Sequence, residues 1–131
     1  MDKDIRWKQR FQNFERSFQQ LERALKIPHR SDIERAGMIQ YFELTFELAW
    51  KTVKDYLESQ GYQLATPRET LKQAFQVNLL KDGHSWMEAL EDRNLTAHTY
   101  DESMAMKVEQ LIEKKYFPLL KQLYDTLKAK M

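Results

Sequence analysis

Apolar residues recur at helical spacing along the first segment of the chain, and this periodicity constrains the fold more than any other feature. The intervals are 4, 3, 4, 3 and 4 positions, and the residues are Trp7, Phe11, Phe14, Phe18, Leu21 and Leu25. Such spacing places all six on one stripe of an α-helix. It predicts a helix over residues 4–26, ended by Pro28, whose aromatic stripe packs against other helices.

A second long helix is predicted between a clear start and a clear stop. Ser31 and Glu34 have the spacing of a capping box, and Gly61 suits the position just past a helix end. A broad apolar face lies between them, made of Met38, Phe42, Thr45, Phe46, Ala49, Val53, Tyr56 and Leu57. A second stripe beside it contains Tyr41, Leu44 and Leu48. A helix apolar on two sides indicates a subunit interface, so we expect a homodimer.

Two short helices are predicted in the middle of the chain. Thr66 followed by Pro67 and Glu69 combines an N-cap, a proline in the first turn and a capping-box glutamate. That helix is expected to turn Leu71, Ala74 and Phe75 inward. Ser85 is expected to cap the next helix, with Trp86, Ala89 and Leu90 on its apolar face and its end near Ala97 or His98.

A last long helix is predicted to begin at a capping box formed by Thr99 and Glu102. Pro118 lies inside its apolar pattern, so we expect a kink there, with Phe117 displaced from helical backbone angles. Together these five helices predict an all-α fold, an antiparallel up-and-down bundle of three long and two short helices. We expect residues 1–131 to form one domain.

Composition excludes several classes of protein. With 3 glycines and 3 prolines in 131 residues, the chain has too few turn residues for a β-sandwich. It has no cysteine, which removes disulfides, thiolate metal sites and cysteine nucleophiles. No apolar run is long enough for a transmembrane helix, and no signal peptide is visible, so a cytoplasmic location without membrane contact is expected. The net charge of +1 gives the whole molecule no strong attraction to nucleic acid.

Polar groups are concentrated in residues 91–102, between two core-forming helices. Arg93 offers a planar fork of donors suited to phosphate, and His98 can transfer a proton near neutral pH. On one continuous helix these two side chains would point 140° apart at 100° per residue, so a helix break at His98 or a two-fold axis would be needed to bring them together. A helix starting at Thr99 would add free backbone N–H groups for an anion.

Other readings of the same residues stay open. Residues 91–102 could equally form a surface loop in which His98 has only a structural role. His29 and His84 are expected to be exposed loop residues. No metal site and no cofactor are expected, because no two histidines are spaced four apart and no cysteine is present. No glycine-rich phosphate loop occurs, so the chain itself is not expected to transfer nucleotides.

The segment from Arg93 to His98 matches the R-x4–6-H motif of HEPN domains, which are small helical modules that act on RNA or nucleotides. With Tyr100 it becomes R-x4-H-x-Y. The blocks at 41–51, 67–69, 86–88 and 116–118 also resemble one group of these proteins, the nucleotidyltransferase substrate-binding proteins. The resemblance covers nearly the whole chain.

This resemblance implies a dimer whose two motifs face a shared cleft, and a minimal nucleotidyltransferase as partner. In one role, as a toxin, such proteins are metal-independent endoribonucleases. Arg93 and His98 would then be catalytic, Asn94 would orient His98 or the phosphate, and Tyr100 would accept AMP from the transferase as a silencing modification. The ligand implied is RNA or a nucleotide and not DNA, because the 2′-hydroxyl serves as internal nucleophile.

Two other functions stay open beside the ribonuclease. The chain could be a non-catalytic subunit that binds a nucleotide or substrate for the transferase. It could also be a helical interaction protein in which the motif has lost its role. Cleavage of RNA that depends on His98 separates the first function from both others.

Overall fold

The computed structural model describes residues 2–93 and 101–131 of the chain, and all regular structure within them is helical. The helices are α1 (Lys3–Leu25), α2 (Asp32–Ser59), α3 (Pro67–Gln76), α4 (Gly83–Asp92), α5 (Glu102–Leu111) and α6 (Phe117–Lys128). A π-helical turn, Ile112–Tyr116, joins α5 to α6, so these three pieces form one long final helix. The predicted all-α bundle with three long and two short helices is confirmed.

Helices α1 and α2 form an antiparallel pair that carries most of the core. Arg10 near the start of α1 pairs with Asp55 near the end of α2 (2.9 Å), and Ser17 shares a buried 2.6 Å hydrogen bond with Thr45. The predicted aromatic stripe of α1 is buried from Trp7 to Leu21. Helix ends follow the sequence signals here. Ser31 begins α2 through a complete capping box, and Gly61 follows its end at φ +100°, which a residue with a Cβ rarely adopts.

The final helix runs parallel to α2 and antiparallel to α1, which closes the up-and-down bundle. Its Tyr116 stacks on Phe42 at 5.7 Å between ring centroids, and Lys130 lies over the ring of Tyr56. Phe18 of α1 stacks on Tyr124 at 4.7 Å. The aromatic residues of α1 thus pack against α6, as the stripe predicted. Offset aromatic pairs of this kind contribute beyond the area that they bury.

The predicted kink at Pro118 takes a different form. Phe117 has ordinary helical angles (φ −61°, ψ −43°), so the expected displacement of Phe117 is wrong. Proline lacks an N–H and its ring collides with the carbonyl four residues earlier. The π turn before Pro118 absorbs this conflict: the Phe117 N–H donates to the carbonyl of Ile112, five residues back.

Three local expectations are also wrong. Asp82 rather than Ser85 caps α4, and it accepts the backbone N–H of Ser85 at 3.1 Å. Asp101 rather than Thr99 caps α5. In both cases an aspartate next to the first turn takes the position, since aspartate caps as well as serine or threonine. Phe75 is 49% exposed instead of inward, and its ring lies over Gly83, where a Cβ would come within 2.9 Å of it.

Candidate functional site

The end of α4, where the motif begins, is fastened to the core by the π turn. Tyr116 in that turn donates a hydrogen bond to the Asp92 carboxylate, the last residue of α4. Burial, together with this hydrogen bond, raises the pKa of the Tyr116 hydroxyl well above its usual range, so the hydroxyl stays a donor at all physiological pH values. One residue earlier, Lys115 pairs with Glu88 at 2.6 Å. These contacts fix the residue that immediately precedes Arg93.

Arg93 follows α4 and is bound to α2 through its side chain. Its Nη1 donates to Oε1 of Glu47 at 2.6 Å. The other oxygen of that carboxylate, Oε2, accepts the indole N–H of Trp50 at 3.0 Å. The guanidinium is one-third exposed, so it is held in place while still facing solvent. A planar guanidinium gripped at one edge is confined in orientation as well as in position.

Arg93 lines two cavities of opposite character. The first, about 340 Å³, is lined by Arg93 with Glu43, Phe46 and Glu47 of α2. The second, about 290 Å³, is lined by residues at the start of α3 and the end of α4: Thr66, Pro67, Arg68, Leu90, Glu91 and Arg93. The first therefore presents two carboxylates and one arginine, and the second presents two arginines and one carboxylate, Glu91. A weak 3.8 Å ion pair joins Arg68 to Glu91, and both side chains are more than half exposed.

Glu43 adds a titratable group to the first cavity. Burial raises the pKa of its carboxyl above the usual range of a glutamate. It stands one helical turn before Glu47, so the two carboxyl groups share one edge of α2. Arg93 thus lies beside two acidic groups on a helix whose opposite face is built into the core.

The four predicted site residues divide between the described and the undescribed parts of the chain. Arg93 is described, at the end of α4 and in contact with α2. Asn94, His98 and Tyr100 lie outside the described residues. The predicted end of α4 near Ala97 or His98 is wrong, because α4 ends at Asp92. Of the two histidines expected to be exposed in loops, His29 is exposed between α1 and α2. His84 is also exposed, at 86% of its side chain, but it lies in the first turn of α4 and not in a loop.

Glu43, Glu47 and Trp50 received no role in the sequence analysis, although they contact or neighbour Arg93. One signal was available: two glutamates four apart lie at the margin of an otherwise apolar helix. That pattern is common on solvated helix faces. The pairing of Glu47 with Arg93 spans 46 positions and depends on how α4 packs against α2, which periodicity cannot predict.

Comparison with known proteins assigns the chain to a family. The model of the family described as "Nucleotidyltransferase substrate binding protein like" matches residues 9–129. The chain belongs to this family. This match confirms the family that the sequence resembled. It also confirms that the family as a whole is associated with nucleotidyltransferases.

A curated relative and two solved structures agree with this assignment. The chain is 34% identical over 83 residues to a Haemophilus influenzae protein named "Probable ribonuclease HepT", a match that covers 60% of this chain and 57% of the relative. A Thermus thermophilus structure matches with a TM-score of 0.79 at 32% identity, covering 87% of this chain and 98% of that one. A Haemophilus influenzae structure, described as the fold of a substrate-binding domain of a nucleotidyltransferase, matches at 0.77 and 25% identity, covering 90% and 98%.

The described residues contain neither a membrane-spanning helix nor a cluster of metal ligands. None of the helices there is both long and apolar enough to cross a membrane. Within the same residues, no three histidine, cysteine, aspartate or glutamate side chains are grouped closely enough to hold a metal ion.

Proposed function

We propose that the protein is a metal-independent endoribonuclease that works as the partner of a minimal nucleotidyltransferase. The observation that carries the proposal is the Arg93 guanidinium, the first residue of the R-x4-H-x-Y motif, which Glu47 holds at the junction of two cavities. The HepT relative, named a ribonuclease, supports the same activity. The assignment of the chain to the substrate-binding family supports the partner.

The proposed reaction is attack by a ribose 2′-hydroxyl on the adjacent phosphorus. The bond from phosphorus to the 5′-oxygen breaks, which gives a 2′,3′-cyclic phosphate and a free 5′-hydroxyl. His98 takes the 2′-hydroxyl proton or supplies the proton to the leaving oxygen, and Asn94 orients it or the phosphate. Arg93 stabilises the negative charge that builds up on the phosphoryl oxygens. The need for a 2′-hydroxyl makes RNA the substrate.

RNA is proposed to reach Arg93 from the side of Arg68. The cavity on that side is lined by two arginines and one carboxylate, whereas the cavity on the other side is lined by two carboxylates and one arginine. A phosphodiester is repelled by carboxylates and attracted by guanidinium groups. The weak ion pair between Arg68 and Glu91 can be displaced at little cost, because both groups are well solvated.

Tyr100 is the proposed site of silencing by the partner. Transfer of AMP to its hydroxyl, with release of pyrophosphate from ATP, would place a bulky anion two residues from His98. The adduct would block the entry of RNA and repel its phosphates. The reaction would be performed by the nucleotidyltransferase and not by this chain.

A homodimer is proposed through the outer face of α2. Tyr41 and Leu44 are 39% and 48% exposed there, and Leu48 is half-buried beside them. This apolar strip continues from the edge of α2 that carries Glu47. A second copy docked on this strip would bring the two motifs close together. That two-fold arrangement would let Arg93 and His98 meet even if the chain continued as one helix through His98.

The test is cleavage of total cellular RNA by the purified protein in EDTA, with His98→Ala and His84→Ala alongside. We expect the wild type and His84→Ala to cleave equally and His98→Ala to lose at least 100-fold, in line with the usual contribution of a general acid or base, about 10²- to 10⁴-fold. His84 is the matched control, since it is an exposed histidine outside the motif. Equal cleavage by His98→Ala would contradict the proposal.

The second candidate is a non-catalytic substrate-binding subunit of a nucleotidyltransferase. The description of the matched Haemophilus influenzae structure favours it. It predicts no cleavage by folded wild-type protein, together with ATP binding that rises when the transferase is added. Titration calorimetry of ATP into the protein, with and without the transferase, measures this directly.

A further inference from the structure

The Glu47 carboxylate is engaged on both of its oxygens. Oε1 accepts from Arg93, and Oε2 accepts from the indole of Trp50, three residues further along α2. The indole fixes the direction of the carboxylate, and the carboxylate in turn fixes the guanidinium. Both Glu47 and Trp50 stand on a 28-residue helix whose inner face is buried in the core. Arg93 is therefore tied to the most extensively packed element of the molecule.

Stability alone does not account for this arrangement. The side chains of Arg93 and Glu47 are 33% and 40% exposed, and ion pairs at such exposure contribute little to stability. The arginine side chain, however, loses much rotamer freedom when it is held. The contact therefore confines a long flexible side chain at low net gain in stability, and it does so at the wall shared by two cavities.

We infer that Glu47 is a positioning residue for Arg93, and that the Trp50 indole N–H orients Glu47 for this task. The inference rests on the proposed function, because it assigns Glu47 to the site at which RNA is cleaved. The guanidinium is useful to the reaction only if its donors meet the phosphoryl oxygens as charge builds up on them. A carboxylate engaged on both of its oxygens gives the guanidinium a defined anchor before RNA arrives.

The variants for the test are Glu47→Ala, Glu47→Gln and Trp50→Phe, with Glu58→Ala as control. Glu47→Gln keeps an acceptor for Arg93. Trp50→Phe keeps an aromatic ring at position 50 but removes the indole donor. Glu58 is the control because it is a glutamate of the same helix that pairs with Lys54 and not with Arg93. Cleavage of a short RNA in EDTA gives kcat and KM for each variant. Thermal unfolding checks that each variant is folded.

We expect Glu47→Ala to lower kcat on the order of 10- to 100-fold with KM changed less than about 3-fold, as for a misplaced catalytic group. Glu47→Gln should recover most of that loss, Trp50→Phe should fall between Gln and Ala, and Glu58→Ala should match the wild type. A purely structural role would lower the melting temperature and the amount of folded protein. It would not lower kcat of the folded protein while leaving KM nearly unchanged.

A second measurement does not depend on cleavage. The ¹⁵N side-chain signal of Arg93, assigned by its loss in Arg93→Lys, reports how fast the guanidinium rotates. We expect slow rotation in the wild type and Glu58→Ala, and fast rotation in Glu47→Ala. Equally fast rotation in the wild type and Glu47→Ala would overturn the inference.

The two proposals fail in distinguishable ways. If the wild type cleaves RNA and Glu47→Ala keeps the same kcat, the positioning role is wrong while the ribonuclease proposal stands. If the folded wild type cleaves no RNA, the ribonuclease proposal is wrong. The claim that Glu47 holds Arg93 is then decided by the rotation of the guanidinium alone.

Discussion

A single carboxylate, Glu109, joins three segments of the chain. Its two oxygens accept from Arg30 at 2.7 Å and from Arg35 at 3.2 Å, and all three side chains are nearly buried. Arg30 lies in the turn between α1 and α2, and it also donates to backbone carbonyls at the end of α1. Burial alone would raise the pKa of the Glu109 carboxyl, but the hydrogen bonds from the two arginines outweigh it and hold the pKa below its usual range.

Glu109→Gln is expected to lower the free energy of unfolding at pH 7 by about 1–3 kcal/mol, because two buried guanidinium groups lose the carboxylate that they share. Arg30 then keeps only its pair with Glu113, and Arg35 keeps only its pair with Asp32. The folded-state pKa of Glu109 lies below its unfolded value near 4.5, so its contribution is complete above that pH and is lost as the pH falls further. Urea unfolding of both proteins should therefore show a difference that shrinks below about pH 4.5. Asp125→Asn, which removes an exposed pair with Lys121, is the control and should change little. A difference that stays constant with pH would contradict this assignment.

The π turn connects an irregularity of the backbone to the candidate site. Such turns inside α-helices frequently occur at functional sites. Here the turn accommodates Pro118 and carries Tyr116, which stacks on Phe42 and donates to Asp92. Asp92 directly precedes Arg93, so the same turn that relieves the proline also locates the start of the motif.

Tyr116→Phe is expected to cost about 1–2 kcal/mol in the free energy of unfolding, since it removes a hydrogen bond to a carboxylate and keeps the ring. It should also lower RNA cleavage, because the end of α4 loses its anchor. Tyr124→Phe is the matched control: it removes a hydrogen bond to Glu15 on the far side of the bundle. We expect it to lower stability by a similar amount and to leave cleavage unchanged. Similar losses of cleavage in both variants would show that Tyr116 acts through stability only.

For the molecule as a whole, the outer face of α2 determines how copies could assemble. Tyr41, Leu44 and Leu48 give it an apolar strip beside the edge that holds Glu47. A groove of about 280 Å³ runs between this strip and the polar residues of α1.

Leu44→Arg is expected to convert the protein from a dimer to a monomer of 15.8 kDa, because it places a charge in the centre of the apolar strip. Ile5→Arg is the matched control, since Ile5 is 49% exposed against 48% for Leu44 but lies on α1. Sedimentation velocity of the three proteins gives the masses. A monomeric wild type would contradict the dimer, and so would a dimeric Leu44→Arg.

Periodicity and capping signals in the sequence were sufficient for the helices. The stripe from Trp7 to Leu21, the Ser31 capping box and the Gly61 stop all depend on neighbours within about four residues, which is the range over which helix geometry acts. The same local logic failed where two candidates stood close together, as with Asp82 and Ser85, and where a proline could be accommodated in two ways.

The sequence by itself also determined the family, and it named Arg93 as a site residue. Only the tertiary structure paired Arg93 with Glu47, tied Asp92 to Tyr116, and placed the guanidinium between a cavity with two carboxylates and a cavity with two arginines. The physical reason is range. A helix is specified by contacts three and four residues apart, whereas these contacts span 24 and 46 residues and exist only once α4, α2 and the π turn have packed together.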